Sequence, residues 1–267
     1  MTIKRIFCDM DGTLLNSQGR LTDSNAKLIS QANLPFTLVS ARAPMEMKEA
    51  INKLELTGPQ IGFNGGLIYT YKQNQIKILH QQALERNDST YLVNFINQHF
   101  PHLSQSYYDL ENWYTYKMDN RIDYEQQLTR LEATIIGEEQ YLKVQTSIFK
   151  IMLITFDGNE MRALKAKLEE LNLPNVSIQQ AGDFYLEITH KKAKKSVGID
   201  YIIKEEKLHK KELVAFGDGH NDLPMFERVG LSIAMENASQ AIKDKVSLIT
   251  KTNDEDGVGY GIHHFLL

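Results

Sequence analysis

The sequence predicts an α/β fold, a doubly wound and mostly parallel sheet interrupted by an inserted α+β domain. Two observations carry that expectation. At both ends of the 267-residue chain, short apolar runs alternate with amphipathic helical stretches, the pattern of a parallel sheet covered on both faces. The middle breaks this rhythm with longer helices and strands of alternating character, which fit an open antiparallel sheet. A core of residues 1–81 and 189–267 and an insert of residues 82–188 follow, with hinges near 80–84 and 185–190.

Taken in order, Ile3 to Cys8 reads as a strand, Asp23 to Gln31 as a helix and Phe36 to Val39 as a β-branched and aromatic strand. A helix from Met45 to Leu54 and a strand from Gln60 to Phe63 continue the parallel alternation. After Gly65-Gly66, the runs Leu67 to Tyr71 and Ile76 to Leu79 look like a hairpin. The insert holds Tyr91–Phe100, Tyr107–Lys117, Tyr124–Leu131, Lys150–Phe156 and Met161–Leu171, then strands near Val176–Gln180 and Phe184–Ile188. The core resumes with Ala193–Ile203, Leu213–Phe216, Leu231–Ala234, Gln240–Val246 and Leu248–Thr250. His263-His264 are adjacent, cannot share a helix face and read as a surface tail, and no helix long enough follows Gly257-x-Gly259-x-Gly261.

An open parallel sheet presents its chemistry at the carboxyl ends of its strands. There Asp9 and Asp11 follow Ile6-Phe7-Cys8, and Asp218 and Asp222 follow Leu213 to Phe216. Acids this close repel unless they share a proton or a cation, and a hard oxygen site suits Mg²⁺. If the two strands are neighbours, all four aspartates converge on about one coordination sphere. Asn221-Asp222-Leu223-Pro224 has the composition of a helix start. Ser40, at the end of the second strand, is either a plain helix cap or, with the first free N–H groups of the next helix, an anion cradle. Of the four lysines between His190 and Ser196, most read as a solvated face, but one reaching an acidic pocket would offset its charge and hold a phosphate.

Composition narrows the function classes. A net charge of −4 argues against a dedicated nucleic-acid binder, and 42% hydrophobic content is ordinary for a soluble domain. A single cysteine, Cys8, excludes an internal disulfide and reads as a core residue. No apolar stretch approaches the roughly 18 residues of a membrane span and MTIKRIF lacks a signal peptide's apolar region, so a cytoplasmic protein is expected. A dinucleotide fingerprint is missing after the first strand, and the eight histidines form no metal spacing.

The order of DMDGT, Ser40, Lys195 and GDGHND resembles the four motifs of the haloacid dehalogenase-like phosphohydrolases. Phe63-Asn64-Gly65-Gly66, Ala234 to Ala238 and Thr252 to Val258 look like its Cof-type branch, which carries a large type IIB α/β cap on a Rossmann-like core. The likeness spans essentially the whole chain, the cap matching in length and pattern. It implies a Mg²⁺-dependent phosphatase that hydrolyses small phosphorylated metabolites, sugar phosphates or similar phosphomonoesters, through an aspartyl-phosphate. By that resemblance Asp9 is the nucleophile, and Asp11 protonates the leaving alcohol and later activates water. The metal is held by the Asp9 side chain, the Asp11 main-chain carbonyl and Asp218, with Asp222 ligating directly or through water. Ser40 and Lys195 bind the phosphoryl group, with Asn221, Asn64 and Arg42 as further candidates on the phosphate side.

The chain departs from the family pattern before Lys195, where His190 and Lys192 replace the usual Pro and Gly, so Lys194 is a rival for the phosphate. Substrate choice is expected of the cap, where the rings of Tyr107 to Tyr116 offer stacking surfaces or pack as a half-buried strand, and where Asp183 and Phe184 are candidates. A phosphosugar mutase and a non-catalytic ligand-binding regulator on the same fold are the alternatives. The sequence leaves the substrate and the oligomeric state open.

Overall fold

Strand β1 (Arg5–Cys8) is buried at every residue, as the middle strand of a sheet covered on both faces must be. The computed structural model to which it belongs describes residues 2–72 and 75–267. Helix α1 (Asp23–Gln31) starts at Thr22, whose hydroxyl accepts the Asn25 N–H at 3.0 Å. Strand β2 (Phe36–Leu38) pairs with β1 in parallel, and α2 (Pro44–Lys53) opens on a proline, whose missing N–H costs a first turn nothing. Strand β3 (Gln60–Gly62) keeps the expected parallel direction beside the end of β2, through the bridge between Val39 and Ile61 and the Ser40 N–H donating to the Ile61 carbonyl at 2.9 Å. On its other side it pairs antiparallel with β4 (Leu67–Lys72), which pairs antiparallel with β5 (Gln75–Gln81). The cause is local: Phe63, Asn64 and Gly65 have φ of 49°, 56° and 98°, so the chain folds straight back onto β3.

A second unit takes in Gln82–Ala193 together with Ala43–Glu46. It contains α3 (Arg86–His99), β6 (Ser104–Tyr108), β7 (Trp113–Thr115), α4 (Asn120–Thr129), β8 (Thr134–Ile135), α5 (Glu138–Lys143), β9 (Lys150–Ile154), α6 (Gly158–Glu169), β10 (Val176–Ala181) and β11 (Tyr185–His190). The strand order is β10-β11-β9-β6-β7-β8, antiparallel except for the last pair. Leu92, Val93, Ile96, Ile151, Leu153, Leu164 and Ile188 pack together in its core. Each such side chain contributes about 1.5–3 kcal/mol on full burial.

The ring-rich stretch is a hairpin, turned where the Asp109 carboxylate accepts N–H groups from Glu111 and Asn112 at 2.9 and 2.7 Å. Tyr107, Tyr108 and Trp113 are buried, and the last two stack, so these rings pack the sheet. Phe184 stays partly exposed, edge-on to Phe156. Strand β11 runs past Ile188 because Thr189 and His190 still pair with Ser177 and Val176. Strand β8 and helix α5, of two and six residues, are too short to leave a period in the sequence.

The chain then adds α7 (Lys195–Glu206), β12 (Leu213–Gly217), α8 (Leu223–Phe226), β13 (Leu231–Ala234), α9 (Gln240–Lys243), β14 (Leu248–Ile249) and α10 (Gly257–Phe265). With residues up to Arg42 and Met47–Gln81 these form the first unit, whose five-stranded sheet has the order β14-β13-β12-β1-β2, parallel throughout. Helix α10 corrects the expected surface tail. The Gly259 N–H donates to Asn25 Oδ1 at 2.9 Å, and a Cβ there would lie 2.6 Å from Leu28 Cβ, so the glycines let α10 press onto α1. His263 and His264 occupy its exposed last turn. Among the described residues no helix is long and apolar enough to cross a membrane.

Candidate active site

The register of three adjacent strands brings the acids together. Cys8 stands opposite Phe216 on one side and Leu38 on the other, so Asp9, Asp218 and Ser40 all emerge at the carboxyl edge. Asp9 and Asp222 are buried, Asp218 is half-buried, and one carboxylate oxygen from each lies within 4.8 Å of the others. The Lys195 ammonium, fully buried at the first residue of α7, sits 2.5 Å from Asp9 Oδ1 and 2.7 Å from Asp222 Oδ1. Lys194 precedes it as the exposed N-cap residue, with its carbonyl accepting the Val197 N–H. Lys195 is therefore the lysine in the acidic pocket.

The remaining contacts lock this arrangement. Asp222 Oδ2 accepts the N–H groups of Asp218 and Gly219 at 3.0 and 2.9 Å, which ties the strand end to the turn after it. Thr13 Oγ1 donates to Asp218 Oδ1 at 2.7 Å. Gly12, at φ 74°, lies against the same carboxylate, where a Cβ would come 2.8 Å from Cγ. Gly65 meets the Lys194 main chain so closely that a Cβ would be 2.5 Å from its carbonyl carbon. Thr13 and Gly12 are the contacts of Asp218 to which motif reading gave no part in the site. Both stand inside DMDGT, and a conformation requiring glycine beside an acid is the signal they carry.

Electrostatics point the same way. Burial, helped by the Asp222 charge and opposed by Lys195, holds the Asp9 pKa well above the ordinary carboxylate value. Asp218 is pushed up to about 6, chiefly by burial, against the Thr13 hydrogen bond. Burial works against the Lys195 ammonium, but Asp9 and Asp222 outweigh it and raise its pKa. Burial also raises the Cys8 thiol, which donates to the Asp9 carbonyl at 3.1 Å and is an inert core group. With all three carboxylates ionised, they would outnumber the one ammonium by two negative charges. One divalent cation with a preference for oxygen ligands matches both the charge and the donor set.

The other sequence candidates surround this centre. The exposed Asp11 carboxylate is gripped by Arg42, with Nη2 2.6 Å from Oδ1 and Nε 2.9 Å from Oδ2. Ser40 is buried, and its Oγ accepts the Arg42 N–H at 3.1 Å, which keeps the hydroxyl hydrogen for another acceptor. The Asn64 N–H donates to the Ser40 carbonyl at 2.8 Å, while Asn64 Oδ1 is buried with no partner among the described residues. Asn221 lies exposed in the turn after Asp218, beside the exposed His220.

Comparison with known proteins agrees with this geometry. A sequence profile of the haloacid dehalogenase-like hydrolases matches residues 6–262. A Haemophilus influenzae protein provisionally named a phosphatase is 31% identical over 97% of this chain and 96% of its own. A Bacillus subtilis 5-amino-6-(5-phospho-D-ribitylamino)uracil phosphatase is 25% identical over 99% of this chain and 98% of its own. A Methanobrevibacter smithii phosphoglycolate phosphatase is 26% identical over the full length of both. Among solved structures, a Thermotoga maritima protein superposes with a TM-score of 0.89 at 23% identity, covering 100% of this chain and 98% of its own. A subclass IIB sugar phosphatase superposes with a TM-score of 0.79 at 19% identity, covering 98% of both chains. The chain belongs to the haloacid dehalogenase-like hydrolases, in their Cof-type branch.

Proposed function

We propose that this protein is a Mg²⁺-dependent phosphatase of small phosphorylated metabolites, acting through an aspartyl-phosphate on Asp9. The observation that carries it is the meeting of Asp9, Asp218 and Asp222 around the Lys195 ammonium at the ends of two neighbouring strands. Asp9, Asp218 and the Asp11 carbonyl would hold Mg²⁺, with Asp222 directly or through water. When bound, the cation neutralises phosphoryl oxygens that would otherwise repel a carboxylate nucleophile.

The protein's own residues supply the rest. An Asp9 oxygen attacks phosphorus and forms the acyl-phosphate bond as the ester P–O bond breaks, and the departing alkoxide takes the proton of Asp11. Water then attacks the phosphoryl group, gives its proton to Asp11, and releases inorganic phosphate and free Asp9. Lys195 orients Asp9 and binds a phosphoryl oxygen, and the Ser40 hydroxyl donates to another. Asn221, Asn64 and Arg42 complete the phosphate side. The relatives named for a phosphoribityl compound and for phosphoglycolate, and the fold likeness to a sugar phosphatase, support small phosphomonoesters as the substrate class. Residues 82–188, with a sheet and core of their own, are assigned to substrate choice.

The test is phosphate release from a panel of sugar phosphates and other phosphomonoesters, with Mg²⁺ and with chelator, comparing the natural chain with Asp9→Asn. Metal-dependent release that is lost in Asp9→Asn is expected, because an amide cannot attack. Full activity in that variant would refute the covalent mechanism, and a retained, isomerised phosphate ester would mark a mutase.

A further inference from the structure

We infer that Asn237 and Asn253 are positioning residues, a two-carboxamide clasp that holds the catalytic loop in the shape its cation pocket requires. The inference rests on the functional reading above. Asn237 follows β13 and Asn253 follows β14, more than 200 positions from the loop they touch. Asn237 Nδ2 donates to the Gly12 carbonyl at 2.8 Å, and Asn253 Nδ2 donates to the Leu15 carbonyl at 2.9 Å. The Asn253 N–H donates to Asn237 Oδ1 at 3.0 Å, which joins the two grips into one chain. Beside them Asp254 Oδ1 accepts the Ser17 N–H at 2.7 Å.

The loop needs such a hold on one side only. Its incoming leg is fixed by the sheet, where the Asp9 N–H donates to the Phe216 carbonyl at 3.0 Å. Its outgoing leg leaves the sheet, and between Met10 and Leu15 its backbone closes on itself through the Thr13 and Leu15 N–H groups at the Met10 carbonyl. That closed turn is held at the Asp11 side chain by Arg42 and by the burial of Leu14 and Leu15, which leaves its backbone at Gly12 to be fixed by the clasp. From this loop, Gly12 and Thr13 touch the Asp218 carboxylate, Gly12 by close packing and Thr13 through the hydrogen bond of its hydroxyl. A pivot of a few tenths of an ångström at Gly12 moves the Asp218 carboxylate or breaks its bond to Thr13. The clasp seizes the carbonyls of Gly12 and Leu15, one on each side of Thr13, and thereby fixes the distance between the Asp9 and Asp218 carboxylates.

Outer partners of metal ligands act in this way, and their removal typically costs about 10- to 100-fold in metal affinity or activity. Asn237 is exposed and Asn253 half-buried, so the Gly12 grip adds little to fold stability while still deciding where the loop rests.

The test is equilibrium binding of Mg²⁺ by calorimetry and of Mn²⁺ by the electron paramagnetic resonance of the free ion, with the thermal midpoint of each metal-free protein. Asn237→Ala is expected to weaken cation binding by about 10-fold and to lower kcat in step, with KM at saturating Mg²⁺ little changed and the midpoint nearly unmoved. Asn253→Ala should do less, because the Gly12 grip remains, and the double variant should fall short of the product of the two effects. Asn237→Asp keeps the size and the acceptor but loses the donor to Gly12, and serves if Asn237→Ala does not fold. Unaltered cation affinity in the folded variants, whether or not their midpoints drop, would overturn the clasp while leaving the phosphatase standing. Failure of the natural chain itself to bind either cation would overturn both.

Discussion

Lys195 Nζ lies 2.5 Å from Asp9 Oδ1 with no solvent access to the lysine side chain, so each group depends on the other to be charged at all. Removing one member of a buried pair strands the other, at a cost of about 3–5 kcal/mol. In Lys195→Ala both Asp9 and Asp222 lose their counter-charge, so thermal stability should fall steeply in chelator and recover in part with Mg²⁺. Phosphate release should drop by about 10²–10³-fold, as expected when a donor to developing charge is lost. Lys194→Ala, at an exposed cap, should melt and turn over like the natural chain. Equal damage from both variants would contradict the assignment of Lys195.

Much of this centre was legible because each acid follows directly on an apolar run, and strands of that kind end at one edge of a parallel sheet. The choice between Lys194 and Lys195 was not legible, since it turns on one residue of helix register at the start of α7. The reversal at Phe63 to Gly65, which turns β4 antiparallel onto β3, was not legible either, because it uses two non-glycine residues at positive φ, which composition does not announce. Helix α10 was hidden by its glycines, each of which weakens a helix by about 1 kcal/mol against alanine. Their use is visible only with Asn25 and Leu28 of α1 alongside. The grip of Arg42 on Asp11 spans 31 positions and has no local pattern.

Arg42 and Asp11 make the next case. The pair is bidentate but open to water, so it adds only about 0.2–1 kcal/mol to stability. Under the proposed mechanism it aims the carboxyl group that delivers and later accepts a proton. Arg42→Ala should therefore lower kcat by about 10-fold or more with an unchanged melting point, and Arg42→Lys should recover little, because an ammonium lacks the planar fork. Steady-state phosphate release beside calorimetry checks this, and a melting point that falls with activity intact would reverse the assignment.

Gly12 and Gly259 separate site geometry from packing. An alanine at either position crowds a neighbour, Asp218 in the first case and Leu28 in the second. Gly12→Ala should lose Mg²⁺ affinity by about 10-fold or more with a modest change in melting. Gly259→Ala should cost about 1–3 kcal/mol as α10 is pushed off α1, with the cation affinity of the folded protein intact. Calorimetric Mg²⁺ titration and urea unfolding of the two variants should give opposite patterns.

His190 should make the second unit sensitive to acid. Its ring is buried at the end of β11, and Nδ1 accepts the Lys192 N–H at 3.0 Å, a role only the neutral ring can fill. Burial lowers its pKa below the ordinary 6.5, with Lys192 adding to the effect and Glu85 and Asp88 opposing it. The unfolded chain therefore takes up the proton first as pH falls. The contribution is complete above pH 6.5 and is lost as pH drops from there toward the folded value, with a slope of at most about 1.4 kcal/mol per pH unit. Trp113, the only tryptophan, is buried in this unit and reports its unfolding by fluorescence. Urea unfolding between pH 8 and pH 5 should show the loss in the natural chain, and His190→Asn, which keeps an acceptor but cannot titrate, should flatten it. An identical pH dependence in that variant would place the acid sensitivity elsewhere.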